Sequence, residues 1–257
     1  MIKILYFVLF ISTQALALNF EDTLKKGHQL FDEEMYEESY NEYQKLLESN
    51  SQLYKSYGYY GMGSSLYYMV DKEDEAIQIY EKIVEDDFLL RELSYSTRVT
   101  LYQRLGWLNS YLGNYPYSFR YDELSVKTYE DHIANEEDDS FYSYCESLYN
   151  LGYDYVYGVG IEQDYQISFK YFKKSSTLCD EKESMNYIGV AYEQGTGVDQ
   201  DFEKAIEWYL KSIEGENISF YGKINYGFLL ANGFGIEQNT DKALRIFEEV
   251  INSEDYY

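Results

Sequence analysis

The stretch GVGIEQD at residues 158–164 recurs twice downstream, as GTGVDQD at 195–201 and as GFGIEQN at 233–239. The first glycine recurs after 37 and then after 38 residues. Apolar residues at helical spacing lie on both sides of each copy, so each stretch joins two helices. Glycine ends the first of them, because it readily adopts the left-handed conformation of a helix C-terminus. Three such units in tandem predict a stack of helix pairs.

Three further positions repeat with the same step and indicate how the paired helices pack. The first helices carry glycines, at Gly152, Gly189 and Gly227. The second helices carry a small residue and, one turn later, an aromatic, at Ser168, Ala205 and Ala243 and at Phe172, Tyr209 and Phe247. Small residues let two helices approach closely, and the aromatic ring fills the space beside them. Asp164 and Asp201, at the ends of two turns, are predicted to cap the following helices.

The N-terminal half shows a looser form of the same pattern. Gly27 and Tyr43 have the spacing of one unit, and Gly106 and Gly113 mark a shorter turn in the third. The most polar stretch, DHIANEEDDS at 131–140, separates the halves and predicts an exposed linker.

These residues carry a family resemblance. The C-terminal units resemble Sel1-like repeats, with the pattern LGxxYxxGxGVxxDxxKAxxWYxKA, most closely in IGVAYEQGTGVDQDFEKAIEWYLKS within 184–216. The N-terminal units resemble tetratricopeptide repeats, although Asp122 stands where that pattern has an aromatic. The resemblance implies an all-α fold, a right-handed superhelical α-solenoid of antiparallel helix pairs. The expected division is a signal peptide at 1–17, tetratricopeptide-like repeats at 18–130, an acidic linker at 131–143 and three Sel1-like repeats at 144–257.

The N-terminus predicts export. An apolar run from Ile4 to Ile11 is followed by Ala15-Leu16-Ala17, the pattern of a cleavable secretory signal. A retained membrane anchor is the alternative, although the segment is shorter than the about 20 residues that a spanning helix needs. The expected location is periplasmic or secreted in a bacterium, ahead of the endoplasmic reticulum lumen.

The amino-acid composition narrows the classes of molecule that the protein is expected to bind. With 46 acidic and 21 basic side chains the formal net charge is −25, which disfavours binding to nucleic acid and to anionic lipid. A basic protein partner is electrostatically favoured, with solubility alone as the other explanation of the charge. A single proline in 257 residues indicates long uninterrupted helices.

No motif indicates catalysis, a cofactor or a metal. The glycine turns follow helices and lack the Gly-Lys-Ser/Thr of a phosphate loop, and none has the layout of a calcium loop. The two histidines, His28 and His132, have no nucleophile signature nearby. We therefore predict a protein that is not an enzyme. A glycosidase-like catalytic pair among the 46 carboxylates is the alternative that counting alone does not exclude.

The two cysteines are predicted to pair. Cys145 lies at the start of one first helix and Cys179 at the end of its second helix, and these ends are neighbours in an antiparallel pair. Some Sel1-like repeat proteins brace their helix pairs with disulfides. An exported chain meets oxidising conditions, so we expect a disulfide rather than two free thiols.

Protein binding on the concave face of the solenoid is the expected function, with self-association through the C-terminal repeat as a further expectation. An envelope enzyme or a carbohydrate-binding protein is the alternative. By repeat register, the groove candidates are His28, Tyr68, Gln103, Trp107, Tyr111, Tyr153, Tyr157, Asn186, Gln194, Phe228 and Asn232. Tyrosine-rich grooves suit protein recognition, although many of these rings could instead fill the core between repeats. Because this set contains no Lys or Arg, a grip on a C-terminal carboxylate is not expected.

Overall fold

The computed structural model describes residues 19–132 and 140–252, and within these ranges all regular structure is helical. Helical residues 19–32 form α1. The others are α2 (Tyr36–Gln44, extended by a 3-10 turn at Lys45–Glu48), α3 (Gln52–Tyr67), α4 (Glu73–Val84), α5 (Asp87–Glu92), α6 (Tyr95–Tyr111), α7 (Tyr115–His132), α8 (Ser140–Tyr157), α9 (Tyr165–Leu178), α10 (Lys182–Gln194), α11 (Phe202–Ser212), α12 (Phe220–Asn232) and α13 (Thr240–Ile251). None of the helices in the described ranges is long and apolar enough to cross a membrane.

The described chain forms two compact units. The first holds residues 19–114 and 128–132, and the second holds residues 115–127 and 140–252. In the second unit α8 packs on α9, α10 on α11 and α12 on α13, and successive pairs stack through α9 with α10 and α11 with α12. In the first unit α3 packs against both α2 and α4. The predicted all-α fold of helix pairs is confirmed.

Glycines allow the paired helices to touch, as the repeat pattern predicts. A Cβ on Gly189 would lie 2.5 Å from the Tyr209 ring, and one on Gly152 would lie 2.7 Å from the Phe172 ring. The first unit has the same glycine–aromatic contact: a Cβ on Gly61 would lie 2.5 Å from the Tyr43 ring. Each aromatic ring therefore occupies the volume that a side chain on the facing helix would need.

The two glycines of each turn have different structural roles. Gly195 and Gly233 end α10 and α12 in the left-handed conformation, both with φ of 72°. Gly197 also has a positive φ, of 77°, and its Cα lies so close to the carbonyl of Tyr165 that a Cβ would overlap it. Tyr165 begins the second helix of the preceding repeat, so this glycine sets the contact between successive repeats.

The predicted helix caps are confirmed. The Asp164 carboxylate accepts the backbone N–H groups of Gln166 and Ile167, both at 2.9 Å. The Asp201 carboxylate accepts the N–H of Lys204 at 3.0 Å. These bonds satisfy donors that have no partner within the helix. The acidic end of each turn is therefore structural.

Along the chain, the first unit ends at residue 114, before α7, and also holds residues 128–132. The first residues of α7 pack in the second unit, because the carbonyl of Tyr115 meets Gly160 as the carbonyl of Tyr165 meets Gly197. The predicted linker at 131–143 overlaps the end of α7 and the start of α8, and residues 133–139 lie outside the described residues. The predicted signal peptide at 1–17 lies outside them as well.

Candidate protein-binding surfaces

Six aromatic side chains of the first unit form a connected surface, which we call the first-unit aromatic cluster. Its members are Phe31, Tyr36, Tyr67, Tyr68, Trp107 and Tyr111. The Tyr36 and Tyr68 rings stack with centroids 5.4 Å apart, and the Trp107 and Tyr111 rings also stack at 5.4 Å. Tyr67 meets Trp107 edge to face at 5.4 Å and so joins the two stacks.

Helix periodicity explains why these rings meet. Trp107 and Tyr111 are four residues apart on α6 and therefore share one face. Tyr67 and Tyr68 lie at the C-terminal end of α3, where Tyr68 is 49% exposed. Trp107 is 42% and Tyr111 is 64% exposed. The cluster thus presents large apolar surface to solvent while its rings hold one another in place.

A cavity of about 170 Å³ lies beside this cluster. It is lined by His28, Phe31, Tyr43, Tyr57, Tyr60, Gly61, Ser64 and Arg104. Arg104 Nη1 donates hydrogen bonds to Ser64 Oγ at 2.7 Å and to the Tyr80 hydroxyl at 3.2 Å. Its guanidinium carbon lies 5.2 Å from the Tyr67 ring centre and 5.6 Å from that of Tyr68. The cation therefore stands at the boundary between the cavity and the cluster.

The structure places Arg104, and not the predicted Gln103, at this cavity. Gln103 was placed in the groove, but only 6% of its surface is exposed. Arg104 takes the position at the cavity, one turn before Trp107 on the same helix. The weak repeat register of this half left the inward face uncertain by one residue.

A second aromatic group lies in the second unit. The Tyr153 and Tyr157 rings are 4.5 Å apart, and the hydroxyls of Tyr157 and Tyr187 lie 3.5 Å apart. Tyr187 in turn stacks on Phe172 at 4.5 Å. Tyr157 and Gln194 border a cavity of about 240 Å³ with uncharged walls. The structure brings these two predicted residues together.

The remaining candidates divide into structural and exposed residues. Asn186 is buried, and its Oδ1 accepts from Asn225 Nδ2 at 2.9 Å, which links α10 to α12. It cannot reach a partner as predicted. Phe228 and Asn232 are exposed on α12, where the Asn232 amide donates to the Phe228 carbonyl at 2.8 Å. His28 is exposed at the rim of the smaller cavity, with its ring 5.8 Å from that of Tyr43.

Two buried carboxyls lie in the second unit, on α7 and α8. Asp122, the departure from the tetratricopeptide pattern, is buried, with Asn150 Nδ2 at 3.4 Å from both of its oxygens. Asp154 is also buried. Burial raises the pKa of Asp122 well above its usual value and that of Asp154 to about 7. In the described ranges, no group of three His, Cys, Asp or Glu side chains could hold a metal ion.

The predicted disulfide is confirmed. Cys145 near the start of α8 bonds to Cys179 at the end of α9, with their Cα atoms 5.9 Å apart. The bond closes the first helix pair of the second unit at the ends opposite its glycine turn. Disulfides persist in oxidising compartments, so this one points to an exported chain.

A family model for the Sel1 repeat matches residues 145–178, 182–217 and 221–249. Residues 145–249 are Sel1 repeats. The chain is similar in structure to a Sel1 repeat protein from Oxalobacter formigenes, with a TM-score of 0.60 and 18% identity over 88% of this chain and 83% of that one. It is also similar to the C-terminal part of a TPR repeat-containing protein from Cytophaga hutchinsonii, with a TM-score of 0.57 and 16% identity over 89% and 78% of the two chains. No curated protein matches the sequence.

These likenesses concern the fold. The Sel1/TPR repeat fold is commonly a scaffold for protein interactions and is typically not enzymatic. The Sel1 repeats occupy the second unit, whereas the cavity with Arg104 and the first-unit aromatic cluster lie outside the three matched segments.

Proposed function

We propose that this chain is an exported scaffold that binds a protein partner through the first-unit aromatic cluster. The observation that carries the proposal is the run of touching aromatic rings from Tyr68 through Tyr67 and Trp107 to Tyr111, of which Tyr68, Trp107 and Tyr111 are exposed. Contiguous exposed apolar surface is unusual on a soluble monomer unless something binds there.

The chemistry of the cluster suits a protein. Tyrosine and tryptophan dominate the binding energy of protein interfaces, because each buries a large area and keeps a polar tip. The ring contacts already fix the side chains of Trp107 and Tyr111, so binding loses little conformational entropy. The acidic net charge favours a partner with basic surface around this apolar contact.

Export rests on two observations. The N-terminal sequence has the pattern of a cleavable signal, and Cys145 and Cys179 form a disulfide. Both fit an extracytoplasmic compartment with oxidising conditions.

Affinity capture with full-length mature protein, from the compartment into which it is exported, tests the proposal. We expect Trp107→Ala to lower the yield of the captured partner at least tenfold, as for an interface hot spot. Phe88→Ala is the matched control, because Phe88 is a 69% exposed aromatic on α5 that is not a member of the cluster. Equal capture by both variants, with unchanged circular dichroism, would refute the proposed surface.

Carbohydrate binding is a second candidate, favoured by the cavity of about 240 Å³ in the second unit. Its walls combine tyrosine rings with the amides of Gln163 and Gln194 and carry no charged side chain. Such walls suit the apolar faces and hydroxyls of a neutral sugar. A glycan array in which Tyr157→Ala abolishes a specific signal would support this function, and the absence of any glycan signal for the unaltered protein would exclude it.

A further inference from the structure

Among the described residues, the guanidinium of Arg104 has no carboxylate partner, although the chain is strongly negative. Its hydrogen bonds end on the hydroxyls of Ser64 and Tyr80, and it forms no salt bridge within the described ranges. Nη2 and Nε donate no hydrogen bond to a described residue. Although the chain has 46 carboxylates, none in the described ranges pairs with this guanidinium.

The Tyr60 phenol does not neutralise the cation. Burial raises the pKa of Tyr60 to about 12, although Arg104 acts in the opposite direction, so this phenol carries no charge near neutral pH. The rings of Tyr60, Tyr67 and Tyr68 instead face the guanidinium with their π electrons, at 5.9, 5.2 and 5.6 Å. Such contacts hold an arginine in place and leave its positive charge available.

We propose that the cavity beside Arg104 binds a carboxylate group of the partner. The inference rests on the proposed function, since Tyr67 and Tyr68 belong both to the first-unit aromatic cluster and to the shell around Arg104. The free edge of the guanidinium offers parallel N–H donors that match the two oxygens of a carboxylate. The aromatic walls would cover the carbon atoms next to that group.

A carboxylate fits better than a phosphate group. The cavity holds about 170 Å³, enough for a side chain or a chain end, and Arg104 is the one Lys or Arg among its lining residues. A phosphate near neutral pH carries up to two charges and is bound by several donors or cations. The acidic chain would oppose that second charge.

Isothermal titration of the full chain with benzoate, and with benzamide as its neutral analogue, tests the proposal. We expect benzoate to bind at least about tenfold more tightly than benzamide, because a charge-assisted pair is lost in the amide. Arg104→Met should abolish this preference. Arg91→Met removes the same charge from an exposed site on α5 and should preserve it. Equal affinity for the two compounds, or tighter binding of inorganic phosphate, would overturn the proposal.

A measurement on the unaltered protein covers the case in which Arg104→Met does not fold. The Nε–Hε resonance of Arg104 should shift saturably with benzoate and not with benzamide. No shift of this resonance at saturating benzoate would overturn the proposal without any variant.

Two peptides identify the source of the carboxylate. One has an internal glutamate and an amidated C-terminus, and the other has no acidic side chain and a free C-terminus. Competition with benzoate by either peptide supports the site and names its source, and competition by neither counts against it.

The two proposals can fail separately. If Trp107→Ala abolishes partner capture while benzoate does not bind, the aromatic binding surface is supported and the carboxylate site is refuted. If benzoate binds at Arg104 while Trp107→Ala leaves partner capture unchanged, the carboxylate site is supported and the proposed function is refuted.

Discussion

The two units build helix pairs from the same Gly–aromatic contacts but turn the chain differently. In the Sel1 repeats, each turn has two glycines. Gly195, for example, ends the first helix, and Gly197 packs against the Tyr165 carbonyl of the preceding repeat. In the first unit, the left-handed turn positions belong to Glu34, Asp71 and Gly113, and a Cβ on Gly113 would meet nothing within 4 Å. The Sel1 repeats therefore make contacts between repeats at their turn glycines, whereas Gly113 of the first unit makes no such contact.

The largest expected effect separates these two kinds of glycine. Gly197→Ala should destabilise the second unit by about 3–5 kcal/mol, because the left-handed conformation and the overlap with the Tyr165 carbonyl both oppose a Cβ. Gly113 also has a positive φ, of 78°, but an added Cβ would meet no atom within 4 Å. Gly113→Ala should therefore cost about 1 kcal/mol. Urea unfolding followed by hydrogen exchange in each unit measures both values. Equal costs would show that the turn glycines set no contact between repeats.

The disulfide gives the next effect, again confined to the Sel1 repeats. Replacing both Cys145 and Cys179 by serine should lower the stability of the second unit by about 2–4 kcal/mol. Hydrogen-exchange protection in the first unit should stay as it is. Thiol titration of the unreduced protein should find no reactive cysteine, and finding two would contradict the pairing.

The pH dependence gives a smaller effect. Asp154 keeps its proton up to about pH 7 in the folded chain, because burial raises its pKa, whereas an unfolded aspartate loses it near pH 4. Its contribution to stability is therefore complete below about pH 4, falls as the pH rises from 4 to 7, and stays low above that. Asp122 acts in the same direction.

Asp154→Asn should remove this part of the pH dependence and stabilise the second unit at pH 8 by about 1–2 kcal/mol. Asp199→Asn, at an exposed position, is the control and should follow the unaltered chain. Parallel stability curves for Asp154→Asn and the unaltered chain between pH 4 and 8 would show that Asp154 is ionised when folded.

The sequence predicted the parts of the structure that repeat. The 37- and 38-residue steps identified the helix pairs, and the positions of Asp164 and of the two cysteines on those helices predicted the cap and the disulfide. Sequence reasoning failed where side chains from distant segments meet. Gln103 and Arg104 are adjacent on one helix, and only the packing of α3 and α4 against α6 decides which of them is buried.

The buried Asp122 shows the same limit. Its mismatch with the tetratricopeptide pattern was visible, but its burial follows from the packing of α7 in the second unit, which repeat spacing does not encode. Departures from a repeat pattern thus mark positions worth testing, although the pattern does not say what surrounds them.

Site-specific photo-crosslinking tests the proposed binding surface most directly. A benzophenone amino acid would replace Tyr111, which is 64% exposed in the first-unit aromatic cluster, or Phe88, which is 69% exposed outside it. Irradiation in the native compartment should join a protein partner to the chain from position 111 and not from position 88. Equal crosslinking from both positions, or crosslinking from position 88 alone, would contradict a binding surface built on these rings.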